Sequence, residues 1–230
     1  MEQIKEELTA QLENPTAFTI PVFGGIPVSQ SVLVSWILIA IITVVVLVMT
    51  RRLKQERPGR AQLVLEYFVD FMNNFCTNNI GRHGRAFAPW LGTVGLFIGL
   101  CNLSGLIGLT PPTKNLNVTL SLALTSVVLI YGASFRYNGL KGGLHKFIEP
   151  SPIMLPINIM EIGIRPLSLC MRLFGNVMAA FVVMELVKLL VPVVVPVAFS
   201  LYFDIFDGLI QTVVFVFLTA LFVGESLEEA

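Results

Sequence analysis

The run RPLSLCMRLFGN, residues 165–176, places Arg172 in a stretch with no further ionisable side chain until Glu185. A guanidinium at the centre of a membrane helix costs about 2.5–3.5 kcal/mol even on a lenient scale, so it faces a protein interior, water or a partner. Glu161 and Arg165 are four apart with the acid first, the favourable order on a helix, and they read as a structural salt bridge. Pro166 beside them predicts a kink. Glu161 shares a face with Arg172 but lies three turns away, about 16 Å along the axis, beyond contact. Ser168 and Asn176, four residues to either side, add only neutral polar groups. Nothing on its own helix neutralises Arg172.

A second set of polar residues follows. Asp204, Asp207 and Gln211 are spaced three and four apart, which makes one stripe on an α-helix. A helical hairpin turning at PVVVP, residues 192–196, brings Arg172 level with residue 215 or 216 and Gln211 within about a turn of it. Gln211 can hydrogen-bond the guanidinium without cancelling its charge. The same register sets Asp204 level with Glu185. Carboxylates then occupy the outer half and an uncompensated cation the centre, which suits ion conduction with a fixed positive barrier. A guanidinium does not deprotonate, so it relays no proton, and a mobile partner carboxylate must complete the path.

These residues need a membrane to sit in. The 230 residues are 55% hydrophobic and 13% charged, with a mean hydropathy of +0.79 and net charge zero, so the class is an all-α integral membrane protein. Neutral charge argues against nucleic acid as a partner. Cys76, Cys101 and Cys170 lack metal-ligand or CxxC spacing and read as packing residues. His83 and His145 make no ligand pair, and no metal or other cofactor is expected. The acidic start, MEQIKEELTAQLENP, lacks the basic region of a cleavable signal, so the first apolar run is expected to be retained.

A single membrane domain is expected over 1–230, with an outer N-terminal segment at 1–30. Five spans follow at 31–50, 86–110, 118–135, 153–190 and 193–223, the last two forming a long tilted antiparallel hairpin. Between them, at 61–80, Val64, Phe68, Phe71 and Phe75 recur at helical spacing opposite Glu66, Asp70, Asn73 and Thr77, as in an interfacial helix. Gly92, Gly95 and Gly99 predict close helix packing on the second span. Arg51, Arg52, Lys54, Arg57 and Arg60 follow span 1 while only Lys5 precedes it, so the N-terminus is expected outside and the tail GESLEEA inside.

With these features in place, the sequence resembles the a-subunit family of F-type ATP synthase over about residues 60–230. RPLSLCMRLFGN is similar to that family's most specific motif, PTKNLNVTLSLAL to its outer turn and third span, and GLIQTVVFVFLT to its last helix. The resemblance implies a non-catalytic stator subunit in a bacterial plasma membrane, partnered by a ring of c subunits, a b-type peripheral stalk and the other synthase subunits. It implies that Arg172 faces the ion-carrying carboxylate of each passing ring subunit and separates two offset half-channels. Asn117, Glu161, Ser168, Asn176, Glu185, Asp204, Asp207 and Gln211 are the candidate pathway residues beside it. The family often has an acid or histidine nine residues after the motif arginine, where this chain has Phe181. Glu185 is the expected substitute.

No GxxxxGK[ST] loop occurs, so nucleotide chemistry is not expected in this chain. A secondary transporter with a solute at the buried arginine would want a related second half, and none is apparent. An assembly scaffold would use its polar residues only to join helices. Whether H⁺ or Na⁺ is carried is set by the partner ring.

Overall fold

A computed structural model describes residues 16–20, 26–51, 53, 59–145, 155–190 and 194–227. Residues 192 and 193 of the expected PVVVP turn and much of the basic segment after span 1 lie outside the described residues. So do the side chains of Glu185 and Lys188.

Chain order is set by long apolar runs that satisfy their own backbone hydrogen bonds, which only helices and closed barrels do in lipid. α1 is Gln30–Thr50, α2 Arg60–Ile80, α3 Gly84–Leu103, α4 Leu116–His145, α5 Leu155–Leu190, α6 Val194–Ser200 and α7 Gly208–Leu227. Leu201–Asp207 joins α6 to α7 as a π-helical segment. Five stretches are long and apolar enough to cross a membrane: Gln30–Thr50, Gly84–Ile107, Leu116–Tyr137, Pro156–Met184 and Ala198–Leu227. Each overlaps one of the five expected spans. α5, at 36 residues, is about 54 Å long against a hydrocarbon core of roughly 30 Å.

The N-terminal segment adds a feature that the sequence reading does not specify. β1 (Thr16–Ile20) and β2 (Ile26–Ser29) pair antiparallel, with Phe18 opposite Val28 and Ile20 opposite Ile26. Two short runs containing β-branched residues, separated by a Pro/Gly-rich stretch, carry the hairpin signal.

α2 packs on α3 through Met72, Cys76 and Ile80, which are buried, with Phe68 and Phe75 against the same core. Val64 and Phe71 of the expected apolar stripe are instead exposed, as are Leu63 and Tyr67. The helix thus has two apolar faces, one packed on protein and one left open. That core also takes Leu91 from α3, Ile130 from α4 and Val216, Ala220 and Val223 from α7. A second cluster joins Ile98, Ala123, Leu169, Cys170, Leu173 and Phe215, so α3, α4, α5 and α7 meet at the level of the arginine motif. Gly95 faces Val216 and Gly99 faces Thr212 across the α3–α7 contact, where the missing side chains let the helices close. α1 is peripheral, touching Cys101 through Val34 and Leu38. α4 breaks at Gly139, whose φ of +71° is open to glycine and strained for other residues.

Candidate functional site

α5 and α7 run side by side, and one bond fixes their register. The Asn176 side-chain amide donates to Gln211 Oε1 at 2.8 Å. Stepping four residues back on α5 reaches Arg172, and four onward on antiparallel α7 reaches Phe215, so these two share a level, as the hairpin reading predicts. Leu173 and Phe215, 0% and 1% exposed, form the packed side of this level. Arg172 itself is half-buried and, among the described residues, has neither an ion pair nor a hydrogen bond. Gln211 does not bridge it. Its carbonyl is taken by Asn176, one turn nearer the hairpin end, while its Nε2 is buried without a partner among the described residues. A fixed cation thus stands beside an amide pair, buried at Gln211 and open at Asn176, that carries no charge.

The carboxylates lie along the following segment, and there the α-helical stripe does not hold. Gly208 N–H donates to the Phe203 carbonyl, five residues back, the bond that defines a π turn. Each such turn takes up an extra residue, so Asp204 and Asp207 do not stack as they would on an α-helix. Asp204 accepts a hydrogen bond from the Ser200 hydroxyl at 2.7 Å. It lies against Gly105, in the 3₁₀ turn Ser104–Ile107 after α3, where a Cβ would come within 2.6 Å of Asp204 Oδ1. Asp207 is half-buried with no hydrogen bond or ion pair to a described residue.

The site's polar supports come from elements that the sequence reading treats as packing or turn. Asn102, 5% exposed on α3, donates its amide to the Gly208 carbonyl at 3.0 Å, and its Oδ1 accepts from the Thr113 hydroxyl at 3.2 Å. A signal for it exists, since Asn102 is the sole side-chain amide between Ala86 and Thr110. In the turn between α3 and α4, buried Asn115 accepts from the Asn117 backbone N–H at 3.0 Å and so caps the start of α4. The Asn117 side chain is exposed. Lys114, 8% exposed, sets its ammonium 3.4 Å from the centroid of the Phe181 ring. The position where a titratable group was missing therefore lies under a lysine cation held by the ring's negative face.

At the other end of α5, Arg165 Nη2 meets Glu161 Oε2 at 2.6 Å, confirming the expected pair, and also Glu225 Oε2 on α7 at 3.2 Å. Its guanidinium lies 5.0 Å from the centroid of the Phe222 ring. Two carboxylates share one cation there. Pro166 stands within α5 without ending it. Ser168 is exposed on α5. Glu185 lies on α5, but its side chain is outside the described residues.

Cys76, Cys101 and Cys170 are all free and buried, as packing residues are expected to be. Burial pushes the Cys76 thiol up to about 11, because a desolvated thiolate is disfavoured.

Comparison with known proteins gives the same family as the motifs. The model of the ATP synthase A chain family matches residues 32–224. The ATP synthase subunit a of Moorella thermoacetica is 34% identical over 202 residues, covering 87% of this chain and 92% of the relative.

Proposed function

The chain belongs to the ATP synthase A chain family, a multi-pass stator component of the synthase's membrane sector, and from that premise we propose that it carries ions to and from a rotating c-ring through two offset half-channels. The observation that carries this reading is Arg172, a half-buried permanent cation with no partner among the described residues, level with the core of four helices.

The chemistry follows from charge. An ion-carrying carboxylate on a passing ring subunit is favoured in its ionised form beside the guanidinium, so it releases its ion on one side of Arg172 and reloads on the other. The guanidinium keeps its own proton and blocks direct leakage between the half-channels. Asp204, Asp207 and Glu185, with Asn117, serve the outer pathway. Glu161 beside Arg165 serves the inner one, and Ser168, Asn176 and Gln211 line the centre. Each elementary charge crossing 100 mV releases about 2.3 kcal/mol, so several crossings support one ATP. The ring and a b-type peripheral stalk are the partners, and the chain lies in a bacterial plasma membrane with its N-terminus outside.

Arg172→Ala and Arg172→Gln should abolish ATP-driven pumping in inverted vesicles with assembly intact, and Arg172→Lys should largely do so, because charge and fork geometry both count. Pumping at near wild-type rate with Arg172→Ala would refute the reading. Glu185→Gln and Asp204→Asn should each slow transport, and the double change should be less than additive, as for groups acting together.

A further inference from the structure

The π segment carries both outer carboxylates, and α3 with its following turn holds it at two points. Asn102 Nδ2 meets the Gly208 carbonyl at 3.0 Å immediately after the segment, and that carbonyl also accepts from the Thr212 hydroxyl at 2.8 Å. A Cβ on Gly208 would lie 2.9 Å from Asn102 Cβ, so the approach depends on glycine. Three residues beyond Asn102, the Asp204 carboxylate packs over Gly105, and a Cβ there would lie 2.6 Å from Oδ1 and 3.0 Å from Cγ. The two grips flank Asp207. Thr113, fully buried, anchors Asn102 from the outer turn.

We infer that Asn102 and Gly105 are positioning residues for the outer ion pathway: together they hold the wide turn that aims Asp204 and Asp207. A regular α-helix would set the two acids about 60° apart on one face, whereas the extra residue per turn separates them further. The turn is therefore a built element, and its holder is a different span. This rests on the ion-pathway reading, so the test separates the clamp from the transport.

The reporter is Asp207→Cys in a full-length chain lacking Cys76, Cys101 and Cys170, assembled in the complete synthase in vesicles. The labelling rate of the thiol introduced at position 207 by a small charged methanethiosulfonate added from the outer side is measured. Gly105→Ala should change that rate about tenfold, because the added methyl displaces the Asp204 carboxylate. With Asp204→Ser, which clears the space, the same Gly105→Ala should change it by less than about twofold. Asn102→Asp keeps the acceptor for Thr113 but removes the donor to Gly208, and should also alter the rate about tenfold. An unchanged rate with Gly105→Ala, or an equal change with and without Asp204→Ser, overturns the clamp. Failure of the transport reading would appear elsewhere, as normal ATP-driven pumping by Arg172→Ala in the same assembled complex.

Discussion

Gln211→Leu should leave the protein as stable as before, or stabilise it, while transport falls. Gln211 is 3% exposed, its carbonyl accepts one bond from Asn176 at 2.8 Å, and its Nε2 is buried without a partner among the described residues. A neutral hydrogen bond contributes about 0.5–1.5 kcal/mol net, whereas an unsatisfied buried donor costs about 1–3 kcal/mol. Leucine loses the first and removes the second, so the balance runs from about zero to roughly 2 kcal/mol in favour of the variant. The Asn176 amide left behind is on an exposed residue and can be solvated. Asn176→Leu should act in the opposite direction: it leaves the buried carbonyl of Gln211 unpaired as well, at a cost of about 1–3 kcal/mol. The double variant should match Gln211→Leu, since no buried carbonyl then remains to be left unpaired. Unfolding of the purified complex on titration with SDS measures the stabilities, and ATP-driven pumping measures function. A Gln211→Leu protein destabilised by more than about 2 kcal/mol, with Asn176→Leu neutral, would refute the accounting and show that Nε2 has a partner.

Three further outcomes are expected. At pH 7.5 Cys76 should react with maleimide about a hundredfold more slowly than an ordinary thiol, since a rise of about two units depletes the thiolate. Its rate should climb about tenfold per pH unit until near 11, and a plateau near 9 would contradict the burial. The Glu161 and Glu225 side chains are 45% and 59% exposed, so solvent screens both ion pairs. Double-mutant cycles with Arg165→Met should give coupling of about 0.3–0.5 kcal/mol for Glu161 and no more than about 1 kcal/mol for Glu225, less at high salt; values above about 2 kcal/mol would show a desolvated pair. Single cysteines test orientation: Leu109→Cys, 41% exposed and beyond the end of the second span, should label with impermeant maleimide from outside and Arg82→Cys only from inside. The reverse pattern would invert the topology.

Much of this protein follows from one-dimensional pattern. Span length, the helix at Arg60–Ile80 and the Glu161–Arg165 pair are legible because each depends on helical rise or periodicity, which the backbone imposes on any sequence. The α5–α7 register is legible because a hairpin has a single turn to count from, and the Asn176–Gln211 bond lies where that count puts it. The family is legible in its motifs. Local spacing, however, assumes a regular helix. It puts Asp204, Asp207 and Gln211 on one stripe, and the wide turn at Leu201–Asp207, held from α3, removes that regularity. Asn102 stands out as the sole amide of its span, but what it, Thr113 and Gly105 meet does not, because those partners are about a hundred or eleven residues away and contact at that range is set by how helices pack. The same holds for Lys114 over Phe181 and for Glu225 joining Arg165: charge and ring are visible in the sequence, but which charge meets which ring is decided by the crossing of spans. Sequence determined the helices, because hydrogen-bond satisfaction in lipid is local. Tertiary structure decided the supports of the site, because close packing between spans is not.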